Sequence, residues 1–273
     1  MKYDHIQTEK INLKNTINNI DNPILYLPEF FGFSQIKHKI TKDVKICIID
    51  SGFPVHKDIK KIDENFCIDF SNSDYGCLDC HGHSTAVSGI LLSNNKNSIT
   101  GLSPDSNFFY AKGVSDNGCA DYGSIVASVL WAIVKNVDII IMPFGGYFYD
   151  SNLHDAIKKA FRNNIAIISS AGNSPGDMTF PSNLPEILSV SCSYKNIKKV
   201  HYDGSLKKHD ISLNVKNLTT TYIKDLYISI SGSSMLSSVI GGICASIIQE
   251  YKDNKSNFSD PYEIYDKIIE NKE

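Results

Sequence analysis

Val44-Lys45-Ile46-Cys47-Ile48-Ile49-Asp50-Ser51-Gly52 is an almost unbroken apolar run that stops at a carboxylate and leaves through a glycine. A strand with one wet face alternates apolar and polar residues, whereas a run without alternation is the pattern of a strand covered on both faces of a parallel sheet. Asp50 then stands at a strand's carboxyl end, the edge at which open α/β sheets place their chemistry. Taken alone, Asp50-Ser51-Gly52 also reads as a turn after a strand. Its company elsewhere in the chain gives it a chemical role.

Further apolar runs predict strands at Phe108–Val114, Val137–Met142 and Ile187–Val190, and a buried strand from Ile165 that ends in Ala171-Gly172-Asn173, while Ile125, Val126, Val129, Leu130, Ile133 and Val134 recur at helical spacing. Strands alternating with helices imply a three-layer α/β fold, a mostly parallel, doubly wound sheet with helices on both faces. At 273 residues the chain can bury one core. No linker, repeat or low-complexity tract marks a second one.

Two other segments share the chemistry of Asp50. His83-Ser84-Thr85-Ala86-Val87-Ser88-Gly89 and Gly232-Ser233-Ser234-Met235 follow it in the order Asp, His, Ser. The α/β-hydrolases run Ser…Asp…His and the chymotrypsin type His…Asp…Ser, so the order is that of subtilisin. The first segment resembles H-G-T-x-V-A-G at His83, Thr85, Val87 and Gly89. The second resembles G-T-S-M-A-x-P-H-V-A-G at Gly232, Ser234, Met235 and Gly242. On these residues the chain resembles the subtilisin-like (subtilase) serine proteases from about Gly32 to Ile248.

The resemblance implies Ser234 as nucleophile, His83 as general acid/base and Asp50 as the group that orients it. His81 competes with His83, but a frame set on His81 breaks most of the matches, and His81 reads as a solvated neighbour on the cleft rim. The segment ending Ala171-Gly172-Asn173 resembles the one that presents the oxyanion-hole asparagine, here Asn173. Substrate is then expected along Gly118 on one cleft edge and along Gly145, Gly146, Ala171 and Gly172 on the other, held by strand addition. The chain departs from the family at Ser84, Pro143, Leu236, Ser238 and Val239, and has Leu213-Asn214-Val215 where the family has A-P-G.

Asp58 resembles a family calcium ligand, but the loop 94–100 that would supply further oxygens is short, so an ordinary surface aspartate is expected and no metal or cofactor is assigned. Cys77-x-x-Cys80 next to His81 and His83 lacks a second Cys/His pair at structural-zinc spacing. Seven cysteines, with Cys47 and Cys244 in apolar elements, fit a reducing compartment better than a disulfide scaffold. The charged segment Met1–Asn22 has no signal-peptide core, and no stretch is apolar enough to cross a bilayer. A cytoplasmic protein is expected, with no membrane partner.

Residues 1–31 read as an N-terminal extension and 32–273 as the catalytic domain, with little room for a prodomain. A net charge of −3 gives no electrostatic case for nucleic acid. The expected function is a serine endopeptidase working through an acyl-enzyme on peptide or protein substrates. Small size and a cytoplasmic setting resemble the subtilases that remove leader peptides from lanthipeptide precursors. A general intracellular protease and a catalytically weak peptide-binding relative are the alternatives. Thr179 and Asp177 lie near the expected pocket floor.

Overall fold

The structure is a computed structural model that describes residues 6–8, 16–37, 41–173, 179–192, 199–202 and 207–272. In chain order it opens with three two-residue strands, β1 (Ile6–Gln7), β2 (Thr16–Ile17) and β3 (Ile24–Leu25). Then come β4 (Lys45–Asp50), β5 (Cys67–Asp69), α1 (His83–Leu92), β6 (Ile99–Thr100), β7 (Asn107–Lys112) and β8 (Cys119–Ala120). The central part holds α2 (Tyr122–Val134), β9 (Ile139–Met142), α3 (Ser151–Arg162), β10 (Ala166–Ser170) and β11 (Leu188–Cys192). It closes with β12 (Lys199–Tyr202), β13 (Lys207–Leu213), β14 (Leu218–Tyr222), β15 (Leu226–Ile230), α4 (Ser233–Asp253) and α5 (Pro261–Glu270).

Eight of these strands form the main sheet in the order β12-β13-β11-β10-β9-β4-β7-β5. Every neighbouring pair is parallel except β12 and β13 at the edge. After β4 the chain builds outward through β5 and β7 on one side, then crosses to β9 on the other. The strand order therefore reverses at β4, and the crevice beyond its carboxyl end is the switch point of the sheet.

Alternate residues of the central strands feed two cores. Ile46, Ile48, Tyr110, Ile141 and Ile168 face α1, α4 and α5, and Cys47, Ile49, Ala111, Ile140 and Ile167 face α2 and α3. Each such isoleucine, fully enclosed, contributes about 1.5–3 kcal/mol relative to exposure. This two-sided burial is why β4 lacks alternation. On the α2/α3 face the helices begin and end by the same chemistry. Asp121 accepts from Ser124 N–H at 2.8 Å and Asp150 from Leu153 N–H at 2.8 Å, while Asn136 and Asn164 take left-handed φ of 51° and 57° just past the helix ends.

The short N-terminal strands are each paired. β1 lies antiparallel to β8, β2 antiparallel to β15, and β3 parallel to β6. Among the described residues no helix is long and apolar enough to cross a membrane.

Candidate active site

Asp50 ends β4 almost completely buried, and its carboxylate meets the Nδ1 of His83 at 2.8 Å through Oδ2 and 3.0 Å through Oδ1. The Ser51 N–H also donates to Oδ1 at 2.7 Å. Gly52, at φ +131°, lets the chain turn against the neighbouring loop, where a Cβ would stand 2.4 Å from the Cys77 carbonyl oxygen. Phe53 and Asp79 then exchange contacts across that turn: Phe53 N–H reaches Cys77 O, and Asp79 N–H reaches Phe53 O. The strand carrying Asp50 and the loop leading to His83 are thereby laced together.

A residue that the sequence motifs did not single out, Asp79, holds the histidine in place. Its Oδ1 accepts from Ser51 Oγ–H at 2.9 Å, His81 N–H at 3.1 Å and Gly82 N–H at 2.8 Å, and its Oδ2 from the Thr85 N–H at 2.7 Å and hydroxyl at 2.6 Å. These include amides at the start of α1 that the helix itself leaves without partners. The signal was present in the sequence as an acidic residue just ahead of a helix start. Ser51 Oγ, donating to Asp79, accepts in turn from the Ser84 N–H at 3.2 Å. Ser84, where the family has glycine, is fully buried. Gly82 needs its lack of a side chain: at φ +93° a Cβ would sit 2.3 Å from the Tyr222 ring.

The expectation of a solvated His81 is corrected. It is half-buried, with its ring centroid 6.3 Å from that of His83, and burial together with the His83 charge lowers its pKa. The cause is the Asp79 network, which draws the loop inward.

Ser234 lies in the first turn of α4 and donates its hydroxyl to the Pro143 carbonyl at 2.7 Å. Pro143 lies two residues beyond Ile141, which pairs with Ile48, so it comes level with Asp50 on the adjoining strand. Asn173 accepts the Ser233 N–H on Oδ1 at 2.8 Å, which fixes the amide and leaves Nδ2 as its donor end. A cavity of about 250 Å³ opens here, lined by Thr8, Phe144, Gly145, Gly172, Asn173 and Ser234. Thr179 forms its wall, since a Cβ on Gly145 would stand 2.1 Å from the Thr179 hydroxyl. Gly146 and Phe180 exchange backbone hydrogen bonds of 2.8 Å, and Ala171 is buried below them. Asp177 lies outside the described residues.

On the opposite edge, Gly118 is not bare. Its carbonyl accepts the Thr8 N–H at 3.0 Å and the Thr8 hydroxyl at 3.3 Å, continuing the β1–β8 pairing. The loop carrying Gly118 is anchored by Lys112, which is wholly buried and donates to Asp116 at 2.7 Å, Leu78 O at 2.7 Å and Ser73 at 3.0 Å.

Asp58 is likewise corrected from a surface residue to a buried one, 3 % exposed. Its oxygens are taken by Asn95 Nδ2 at 2.7 Å, by the Tyr227 hydroxyl at 2.7 Å and by the Ser98 hydroxyl. Burial pushes this carboxyl up, but the three hydrogen bonds outweigh it and hold its pKa below the usual range. A ring of donors is the wrong shell for a cation, which needs several oxygen acceptors. The residues here do not fit the family's calcium. Among the described residues no group of three or more His, Cys, Asp or Glu is placed to hold a metal, the Cys77, Cys80 and His81 segment included.

A doubly wound sheet with an Asp–His pair at its switch point, and a serine heading a buried helix one strand away, is the architecture of a subtilisin-like serine endopeptidase. Residues 41–272 match the Subtilase family model, and the chain belongs to that family. It is similar to the minor extracellular protease Epr of Bacillus subtilis (strain 168), 26 % identical over 196 residues, 71 % of this chain but only 30 % of that protein. It is also similar to subtilisin DY of Bacillus licheniformis, 26 % identical over 216 residues, covering 77 % of this chain and 78 % of that one. With the major intracellular serine protease of Bacillus subtilis (strain 168) it shares 26 % identity over 224 residues, 78 % of this chain and 70 % of the relative.

Proposed function

We propose that this protein hydrolyses peptide bonds through an acyl-enzyme formed on Ser234, with residues 32–273 as the catalytic domain and 1–31 as its extension. The observation that carries the reading is the 2.8 Å contact of Asp50 with His83 Nδ1. A carboxylate on that nitrogen keeps the proton there, so Nε2 is the basic one, and the pairing stabilises the imidazolium that forms later. The Ser234 hydroxyl turns from Pro143 toward His83, gives up its proton and attacks the scissile carbonyl. Asn173 Nδ2 and the Ser234 N–H donate to the oxygen that becomes negative. His83 returns the proton to the leaving amine, and water repeats the sequence on the acyl-enzyme.

The proposed substrate is an extended segment of a polypeptide cut at one or a few sites in the cytoplasm, of which a lanthipeptide leader is an example. The restriction of the pocket by Thr179 supports a selective cleft. A relative named as an intracellular serine protease supports the location. A fluorophosphonate is expected to label Ser234, and Ser234→Ala to lose both label and cleavage. Label that persists in Ser234→Ala refutes the assignment. Digestion of casein beside a degenerate peptide library separates the substrate classes: broad casein degradation with no positional preference overturns the dedicated processing enzyme.

A further inference from the structure

The main sheet ends at β5, and β5 does not cover the whole of its neighbour. Cys67 lies opposite Tyr110 and Asp69 opposite Lys112, so the first half of β7, residues 107–109, has β4 on one side and no strand of the described residues on the other. Ahead of β5 the chain makes a short 3-10 turn, Glu64–Phe66, instead of continuing the strand. Successive backbone groups of a parallel strand turn to its two neighbours alternately. Asn107 gives its N–H to the Val44 carbonyl on the β4 side, and Lys112 O takes the Phe70 N–H on the β5 side. The N–H and C=O of Phe108 therefore face the uncovered side.

A cavity of about 480 Å³ opens there. Phe108 and Phe109 both line it, and since successive side chains of a strand point to opposite faces, it lies along the edge of the sheet rather than on either face. It is at the amino end of β7, roughly 15 Å along the strand from Lys112, the residue level with Asp50. Ile62, Phe66 and Leu92 supply apolar wall, and Phe66 is 43 % exposed although its ring meets that of Phe109 at 5.1 Å. The charged residues around it are Lys45, Lys60 and Lys61 against one carboxylate, Asp63, which already accepts from the Asn65 N–H at 2.9 Å and side-chain amide at 2.8 Å. None of the three lysines joins an ion pair among the described residues, so in a chain of net charge −3 this edge is locally positive. Lysines on an edge strand guard it against pairing. These belong to β4 and to the loop opposite, not to β7, and flank the edge without blocking it.

We propose that this edge is a second polypeptide-binding site, which takes an extended acidic segment by strand addition beside residues 107–109, with an apolar side chain in the cavity and carboxylates at the lysines. A lipid tail would fill the same cavity but offer the Phe108 N–H and C=O nothing, whereas a peptide backbone satisfies both. A segment bound here leaves the crevice at Asp50 free, and its binding does not depend on the endopeptidase reading.

The test uses the full-length Ser234→Ala protein, so that no probe is cut, and fluorescence anisotropy of labelled Asp-Glu-Val-Phe-Val-Glu-Asp. Binding is expected at low salt, weakening as salt is added, with slowed hydrogen exchange at the Phe108 amide. The same peptide with lysine for every acidic residue should not bind, and the peptide N-methylated at Val-Phe-Val, which keeps the side chains but cannot pair as a strand, should bind at least about 10-fold more weakly. Lys60→Glu with Lys61→Glu, both exposed, turns two attractions into two repulsions and should cost about 10-fold. With Ser234 restored, the same pair of substitutions should leave kcat/KM for a short neutral peptide unchanged, which separates this edge from the crevice at Asp50. No binding, or binding indifferent to the lysine reversal, overturns the proposal. So does affinity that survives N-methylation, or capture of laurate or phosphatidylglycerol vesicles in preference to the peptide, which would make the site one for an anionic lipid.

Discussion

Replacing Asp79 by Asn tests whether the start of α1 is held from outside the helix. The substitution keeps shape and removes charge. The amide oxygen can serve the Oδ1 side, where Ser51, His81 and Gly82 donate. The amide nitrogen then faces the Thr85 N–H, a donor against a donor, at what was a 2.7 Å contact. Thr85's hydroxyl can turn round, but its N–H cannot. One charge-assisted hydrogen bond is lost, worth about 1.5–3 kcal/mol, and a buried N–H left without its acceptor costs about 1–3 kcal/mol. Because these overlap, a loss of about 2–4 kcal/mol is expected. For a domain of this size that lowers Tm by roughly 5–15 °C. Thermal unfolding is best followed in a Ser234→Ala background, so that self-cleavage does not distort the transition. In the otherwise native enzyme, kcat should fall about 10- to 100-fold with KM nearly unchanged, since His83 lies between the two anchored residues and a displacement near 1 Å can cost about 100-fold. Asp79→Ala should be worse on both measures. A Tm within 2 °C of wild type together with kcat within twofold would refute the argument.

Asn173→Ala should reduce kcat about 100- to 1000-fold with little change in KM, a magnitude established for the oxyanion asparagine of this family rather than worked from this geometry; steady-state kinetics on a cleaved peptide decide it. Tyr227→Phe should destabilise the fold by about 1.5–3 kcal/mol by removing a donor to the Asp58 carboxylate, whereas a chelator should leave the wild-type Tm unmoved, and a chelator-induced drop would restore a cation to Asp58. Because the Asp58 pKa is lowered on folding, its contribution is fully present above the unfolded value near 4 and is lost as pH falls through the folded value. Wild-type Tm should therefore fall more steeply than that of Tyr227→Phe on acidification below about pH 4. Removing residues 1–8 should lower KM for peptides without lowering kcat if substrate adds to the Gly118 edge, because Thr8 and β1 occupy that edge; an unchanged KM would mean that this strand does not compete.

Much of this was legible because the relevant residues are local. Asp50 was marked by the end of an unbroken apolar run, and His83 and Ser234 by short motifs, and the sheet places the three at adjoining strand and helix ends. The strand expected to reach Val114 stops at Lys112, because the Gly113 N–H turns back to Asp50 O. Helix α4 begins at Ser233, ahead of the apolar run that starts at Val239. Its first turns are serines apart from Met235 and Leu236, too few apolar residues to set a period, and the hydroxyls of Ser237 and Ser238 are satisfied inward by the Ser234 carbonyl at 2.7 and 3.4 Å. Asp58 was opaque for another reason. Asp58 is made an interior residue by Asn95, Ser98 and Tyr227, the last 169 positions away, and such a shell exists only once the chain has folded.

Helix α4 is enclosed from Ser233 to Gln249, every residue buried, with Gly241 against Ile141 and Gly242 against Leu102 so closely that a Cβ on either would stand within 2.5 Å of the neighbour. Ser234, the proposed nucleophile, thus sits on the tip of a rod running through the middle of the molecule, and nothing can loosen that rod without loosening the core. A molecule able to cut is therefore intact, and a molecule cut within this core must first have opened. Such self-digestion takes two copies in different states, so wherever reclosing outpaces cleavage the loss of activity on storage should accelerate with protein concentration rather than follow a first-order clock.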